Sequence, residues 1–578
     1  MRCHTDELGC SVLVPDWTYH DSLEPFKRLG DSFIVCSPGG MTMFTMNAGA
    51  IRQITSRREH FPKPTESYEL LAIFGANVLT TEGAIWRMHR KVTAASFNEK
   101  NTAHIFAESV NQAQSMVATW MGPDGKPKGT IRSLQHDTLT LALNIIGCVG
   151  FGLRLLWPGQ TLPPDTDPKL AKYGSLTPPP GHTMSFVTAL GTVLDKLIAL
   201  LVFPSSILKI LPFKWAKAAW DAKQNYSQYM EEFFQDKIDE VRKGEQEKDG
   251  MDIMGQLVRS KYGKSKGGNS GELTDSEIIG NAFIISVAGH ETTAGTLHFA
   301  LLELATNARA QRAVQRDVDA LFGDTDPATW DYEQNINPLL ASHIGAAMNE
   351  AMRLRPAVVE VPKHLLQDQV LTIDGTKHVL PAGLTISLCL VCVQRNPRYW
   401  PGQPSRIVPG VSDIDDFEPE RWFRTVAAAG DVGAAAAATS KDEAEGGGDT
   451  ENFGEFDGPD TSASLFRPVR GSFVPFSEGP RSCLGRRIAQ VEMLATLAVV
   501  FQGYSLELAV DQWASDEEVE KMGPEERRKL YKKAQEECRR AIKSATSVVT
   551  LKMLPEGQPA IRLAKRGEER FINIVDLD

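Results

Sequence analysis

Between residues 83 and 355 apolar side chains recur three and four positions apart, most clearly over 133–152, 218–243, 276–306 and 339–354. That spacing lines one face of an α-helix, so the chain must fold around a helical body. Strand-like runs are short and lie outside it. Residues 31–55 alternate apolar and polar around Pro38-Gly39-Gly40, which reads as a hairpin leading into a helix. Further runs stand at Val370–Ile373, Leu384–Val393, Tyr504–Leu508, Val548–Leu551 and Ala560–Leu563. The expected fold class is mainly α with a minor β part.

A chain of 578 residues with 42% hydrophobic and 23% charged side chains affords a large core and excludes global disorder. The net charge of −11 argues against a protein whose general task is binding nucleic acid or coating anionic lipid. Eight cysteines at irregular spacings do not form a secreted disulfide framework, so a reducing compartment with free thiols is expected. No run approaches the roughly 20 apolar residues of a membrane span. The longest uncharged apolar run, Leu197 to Leu208, is interrupted by Pro204 and followed by Leu211, Phe213 and Trp215. It fits either a buried helix pair with a proline turn or a segment dipping into a membrane surface, and both readings stay open.

Two stretches read as insertions. Residues 426–464 are rich in Ala, Gly, Asp and Glu and are expected to form a surface loop without a core. Residues 511–545 are densely charged and suggest a solvated helix held by acidic-basic pairs.

The chemistry concentrates in Phe476–Gly485, FSEGPRSCLG, which runs into an amphipathic helix. Cys483 therefore stands at a helix N-terminus, where unpaired N–H groups and the helix dipole favour a thiolate, a ligand for iron. Gly479-Pro480 supplies a tight turn, Gly485 removes a side chain where a flat cofactor would approach, and Arg481 could meet a cofactor carboxylate. A buried cysteine opening an ordinary core helix is the plainer alternative.

Thr274 and Glu277 form a capping box that starts the helix over 274–306. Inside it, Ala288-Gly289-His290-Glu291-Thr292-Thr293 clusters weak helix formers, with glycine alone costing about 1 kcal/mol. Bare surface at Ala288 and Gly289 would admit dioxygen, and Glu291 and Thr292 can relay protons; the alternative is a polar notch in a core helix. Glu350 and Arg353, three apart, can pair on one helix. Trp86 and Arg90, four apart, can reach one carboxylate.

Together these segments resemble the cytochrome P-450 superfamily of haem-thiolate monooxygenases. Phe476, Gly479, Arg481, Cys483 and Gly485 match its F-x-x-G-x-R-x-C-x-G signature; residues 288–293 match its oxygen-activating motif. Glu350 and Arg353 match Glu-x-x-Arg, Phe417-x-Pro419-Glu420-Arg421-Trp422 supplies the arginine that completes a buried triad, and Trp86 and Arg90 match its Trp-x-x-x-Arg motif. The resemblance implies the cytochrome P-450 fold as one large haem domain over residues 25–565 and a C-terminal tail 566–578; full-length fungal and animal relatives begin with a hydrophobic anchor, and the N-terminal segment 1–24 departs from them in having none, so the anchor is expected to be either absent or truncated. It further implies haem b with Cys483 as axial ligand, propionates held by Trp86, Arg90 and Arg481, and Glu291 and Thr292 as the proton relay. P-loop and dinucleotide fingerprints are absent, so electrons are expected from a separate NADPH-cytochrome reductase, or a cytochrome b-type donor, docking on a basic patch around Arg486 and Arg487.

A lipophilic substrate is expected from apolar walls at Ser67–Thr81, the Leu197 region and Val358–Val361. The family resemblance suggests fungal secondary metabolism, with fatty-acid hydroxylation, a haem-thiolate isomerase or dehydratase, and a haem sensor as alternatives. It also suggests the cytoplasmic face of the endoplasmic reticulum. The chain departs from the family at Gln394-Arg395-Asn396-Pro397 and at Lys363-His364, where an arginine commonly meets a propionate. Cys389 and Cys392 lack further ligands at zinc spacing and read as core.

Overall fold

A computed structural model describes residues 16–244, 252–263, 273–424 and 461–574, apart from residues 163, 165 and 167. The hairpin comes first. Strands β1 (Ser32–Ser37) and β2 (Gly40–Thr45) pair antiparallel and lead into α1 (Ala48–Ser56), whose N-terminus is capped by the Asn47 side chain. The helical body follows as α2 (Gly83–Ala94), α3 (Glu99–Thr119), α4 (Leu134–Phe151), α5 (Leu197–Val202), α6 (Ser205–Ile210), α7 (Lys214–Lys243) and α8 (Asp275–Thr306). It continues with α9 (Tyr332–Ala341) and α10 (His343–Leu354). The single helical run expected over 339–354 is thus divided. Pro338 lies in α9, and Ser342 ends that helix and caps the next by accepting from Ile344 N–H.

Strands β3 (Glu360–His364), β4 (Gln369–Ile373), β5 (Thr376–Leu380) and β6 (Thr385–Cys389) come next. Then follow α11 (Arg486–Gly503), β7 (Tyr504–Leu508), α12 (Pro524–Lys543), β8 (Thr546–Ser547), β9 (Leu551–Lys552) and β10 (Ile561–Lys565). The largest sheet has the order β1-β2-β6-β3, with β2 and β6 parallel. The run over Leu384–Val393 leaves the strand at Cys389 for one helical turn. Val548–Leu551 is mostly the turn of the β8–β9 hairpin rather than a strand.

Helix α8 is the axis. Its capping box forms, with Thr274 accepting from Glu277 N–H and the Glu277 side chain accepting from Thr274 N–H. At 32 residues it spans about 48 Å, and apart from one notch it is buried on nearly every side.

Both expected domain boundaries move outward. Trp17 stacks against Phe26 and meets Phe44 edge-on, and Tyr19 donates to Ile542 O, so residues 16–24 belong to the core. At the other end Phe571 and Ile572 are buried, and Glu507 accepts from both of their N–H groups. Residues 425–460 lie outside the described set, so the expected loop there is not addressed. The charged stretch 511–545 is more than a solvated helix. Tyr531, Ala534, Gln535, Cys538 and Ile542 form a buried stripe along α12. Tyr531 Oη donates to Ala305 O and accepts from Leu508 N–H, while Gln535 donates to Thr306 O. Two carbonyls that the end of α8 would leave unpaired are thereby satisfied.

Candidate active site

The loop from Phe476 to Gly485 is held from both ends. Cys483 N–H donates to Phe476 O at 2.8 Å, and the Phe476 ring packs on the core. Gly479 has φ +73°, and a Cβ there would lie 2.5 Å from Thr55 O, so only glycine lets the turn seat against α1. Gly485 caps α11, whose residues are buried from Val491 to Phe501. Cys483 is exposed and engaged in no disulfide. A Cβ on Gly485 would meet only Cys483 Sγ at 3.9 Å and Phe97 at 4.0 Å. Among the described residues the space beside the sulfur is therefore open.

Around this loop the fold buries cations. Arg90, Lys63 and Lys363 are buried, and Arg481 nearly so. The Arg481 guanidinium lies 4.2 Å from the Trp86 ring centroid and pairs with Glu82, and Arg58 covers the same indole at 4.7 Å. Burial, aggravated by Arg481, pushes the Lys63 ammonium down to about 7 and that of Lys363 to about 8, while burial lowers Arg90 and Arg481 to about 10. Arg90 Nε and Arg481 Nε are buried and find no hydrogen-bond acceptor among the described residues. Lys363 and His364 separate because successive side chains on β3 point to opposite faces: Lys363 is turned inward and His364 is not.

The notch of α8 lies at the expected place. Ala288 is exposed, and Glu291, Thr292 and Gly295 are half-exposed along the same face. Thr292 Oγ1 donates to Ala288 O at 2.7 Å. At Gly289 a Cβ would lie 2.4 Å from Ile146 Cδ1, so the missing side chain also lets α4 pack close. His290 also faces α4, with Nε2 3.1 Å from Leu139 O, and burial lowers its imidazole to about 4, which keeps it neutral. Glu291 is ion-paired with Lys552 of β9 at 2.8 Å.

The wall at 67–81 is pinned to α8. Val78 N–H donates to Asn281 Oδ1, and a Cβ on Gly280 would lie within 2.7 Å of the Gly75 and Ala76 carbonyls. Phe74 packs on Phe283 and Tyr226. His89 of α2 accepts from Asn281 at Nδ1 and turns Nε2 toward Glu277, tying the helix of Trp86 and Arg90 to the start of α8.

Glu350, Arg353 and Arg421 form a fully buried cluster. Glu350 receives Arg353 in a bidentate pair at 2.8 Å, Arg421 Nε at 3.2 Å and Trp422 Nε1 at 3.0 Å. Gln394, a departure from the family wording, accepts from Val474 N–H and donates to Met352 O and Arg353 O. It links α10 to the segment entering the cysteine loop.

Residues 9–425 and 459–554 match the sequence profile of the cytochrome P450 family. The chain belongs to that family. The profile's gap falls within the stretch expected to be inserted. A cytochrome P450 monooxygenase of Arthrobotrys oligospora is 28% identical over 86% of this chain and 80% of its own length, and one of Penicillium rubens is 28% identical over 86% and 79%. A phomenoic acid biosynthesis cluster P450 of Leptosphaeria maculans is 23% identical over 86% and 80%. As in those relatives, the activity is that of an oxidoreductase of the P450 monooxygenase kind.

The donor set of this P450 fits a haem. Arg481 pairs with Glu82, whose charge also reaches Lys63 and Lys363, so among the described residues this cluster holds more cations than anions, an excess that two propionates would offset beside an exposed thiol with room at Gly485. Sequence reasoning missed Arg58, Lys63 and Lys552. The first two lie in the aperiodic run Arg57–Lys63, and Lys552 meets its partner across 261 residues. The expected docking patch is reduced: Arg487 is 15% exposed, lying against Tyr332 and Glu99.

Proposed function

We propose that this P450 binds haem b through Cys483 and inserts one oxygen atom of dioxygen into a lipophilic small molecule. The convergence of Cys483 with buried Lys63, Arg90, Lys363 and Arg481 carries the reading. Haem, when bound, supplies the activation of dioxygen. Per turnover a C–H bond, dioxygen, two electrons and two protons become a C–OH group and water. The chain supplies the sulfur ligand, the cations for the propionates and the proton path. Thr292 Oγ1 gives its proton to Ala288 O, which leaves its lone pairs to accept a hydrogen bond from the cleft. Glu291, the preceding residue on α8, takes protons from solvent.

Electrons come from an NADPH-cytochrome reductase, with a cytochrome b-type protein as the second donor. No helix among the described residues is long and apolar enough to cross a membrane. The α5–α6 pair turns at Pro204 as expected, yet only Leu197, Leu200 and Leu208 are buried, while Ile198, Val202, Ile207, Ile210, Phe213 and Trp215 are exposed. That apolar face supports peripheral contact with the cytoplasmic face of the endoplasmic reticulum rather than the fully buried pair. The Leptosphaeria relative, of a biosynthesis cluster, supports a role in secondary metabolism.

An acid and an alcohol on the exposed face of α8 favour monooxygenation over an isomerase or a haem sensor, which have no use for a relay. Comparing metabolite extracts after gene deletion identifies the substrate. Thr292→Ala is then expected to keep haem and substrate binding while product per NADPH falls steeply and hydrogen peroxide rises. Unchanged coupling would overturn the relay and favour the isomerase.

A further inference from the structure

The segment read from sequence as a charged insertion leads directly into the site. Helix α12 docks on the last turn of α8 through Tyr531 and Gln535, and the chain then turns back along α8 as the β8–β9 hairpin. Thr546 Oγ1 and Ser547 N–H donate to Asp16, and Leu551 N–H donates to Ala357 O, so the hairpin is anchored on both strands. Its backbone lies close against α8 at Gly295, where a Cβ would be a tight 3.2 Å from Leu551 O. The next residue along the hairpin is Lys552, whose Nζ meets Glu291 Oε1 at 2.8 Å.

Glu291 and Thr292 are neighbours on a helix, so their side chains diverge by about 100° and do not meet directly. Where the Glu291 carboxylate rests therefore depends on what holds it. We propose that Lys552 is a positioning residue for oxygen activation, its ammonium holding the Glu291 carboxylate at the solvent side of the α8 notch. The inference rests on the relay assigned above to Glu291 and Thr292. Lys552 is 39% exposed and Glu291 31%, so the pair is reached by water. A proton taken up there passes to Thr292 through water. Without the ammonium the carboxylate is no longer fixed over the route.

The test uses the full-length haem-loaded protein with its reductase and the variants Lys552→Met, Lys552→Arg, Glu291→Gln and Glu291→Gln/Lys552→Met. Each is first shown to retain the wild-type haem spectrum. Peroxide formed per NADPH is expected to rise at least about 3-fold in Lys552→Met and to return toward wild type in Lys552→Arg. The double variant is expected to match Glu291→Gln alone, because a residue that acts through another adds nothing once that partner is gone. The pair itself is read without turnover: Lys552 should be acylated by an amine-reactive reagent faster in Glu291→Gln than in wild type, measured by peptide mass spectrometry. Equal acylation rates, or a Lys552→Met variant coupled like wild type while Glu291→Gln uncouples, would overturn the role of Lys552 and leave the relay standing. A Glu291→Gln variant coupled like wild type would instead remove the relay on which the inference rests.

Discussion

Loading haem into this P450 at pH 8 will draw protons from solvent. In the haem-free chain, burial and the nearby Arg481 guanidinium lower the Lys63 ammonium to about 7 and that of Lys363 to about 8. At pH 8 Lys63 is then roughly one-tenth protonated and Lys363 roughly half. Two propionates beside them would restore ordinary lysine behaviour near 10.4, so uptake is expected to approach about 1.4 protons per haem. The sign also fixes a stability profile. The unfolded lysines stay charged to about pH 10, so the folded haem-free chain binds fewer protons than the unfolded one between about pH 7 and 10. Its stability therefore rises with pH across that window, and haem flattens the rise. Proton uptake is measured by titrating haem into weakly buffered protein with an indicator dye, for wild type and a Lys63→Met/Lys363→Met variant. The difference between the two cancels any proton released by Cys483. A difference near zero would refute the assignment of these lysines to the propionates.

Replacing Glu350 by Gln weakens the anion shared by two buried guanidiniums, and the chain should lose about 3–5 kcal/mol by denaturant titration; a loss below 1 kcal/mol would contradict the triad geometry. Tyr531→Phe strands Ala305 O and Leu508 N–H, a cost of about 1–3 kcal/mol on the same assay, whereas a freely solvated α12 would show none. Ile210, 79% exposed, and Phe213 lie on the outer face near α6, and their replacement by Asp should lower vesicle binding at least 10-fold in a flotation assay. Unchanged flotation would remove this face as the membrane contact.

What the sequence made legible was local. The Thr274–Glu277 capping box, the Phe476–Gly485 loop and the three- and four-residue spacings at Trp86–Arg90 and Glu350–Arg353 each involve residues whose relation is fixed by one helix or one turn. Gly289 shows the limit of that reasoning, since its close approach to Ile146 on another helix has no local signal. Lys552 carried no signal, because only the path of the hairpin brings it to Glu291. In α12 the signal was present and outweighed: Tyr531, Ala534, Cys538 and Ile542 recur at helical spacing, but the surrounding charges dominate the composition. Lys363 could be separated from His364 only after β3 fixed which of the two points inward.

The central claim is that Cys483 provides the sulfur that holds the haem. The most direct measurement is the Soret band of the reduced carbon monoxide complex of the purified chain, wild type against Cys483→Ala. The wild-type protein should show the red-shifted band of thiolate ligation, and the variant should lose it whether or not haem is retained. An unchanged band in Cys483→Ala would contradict the account.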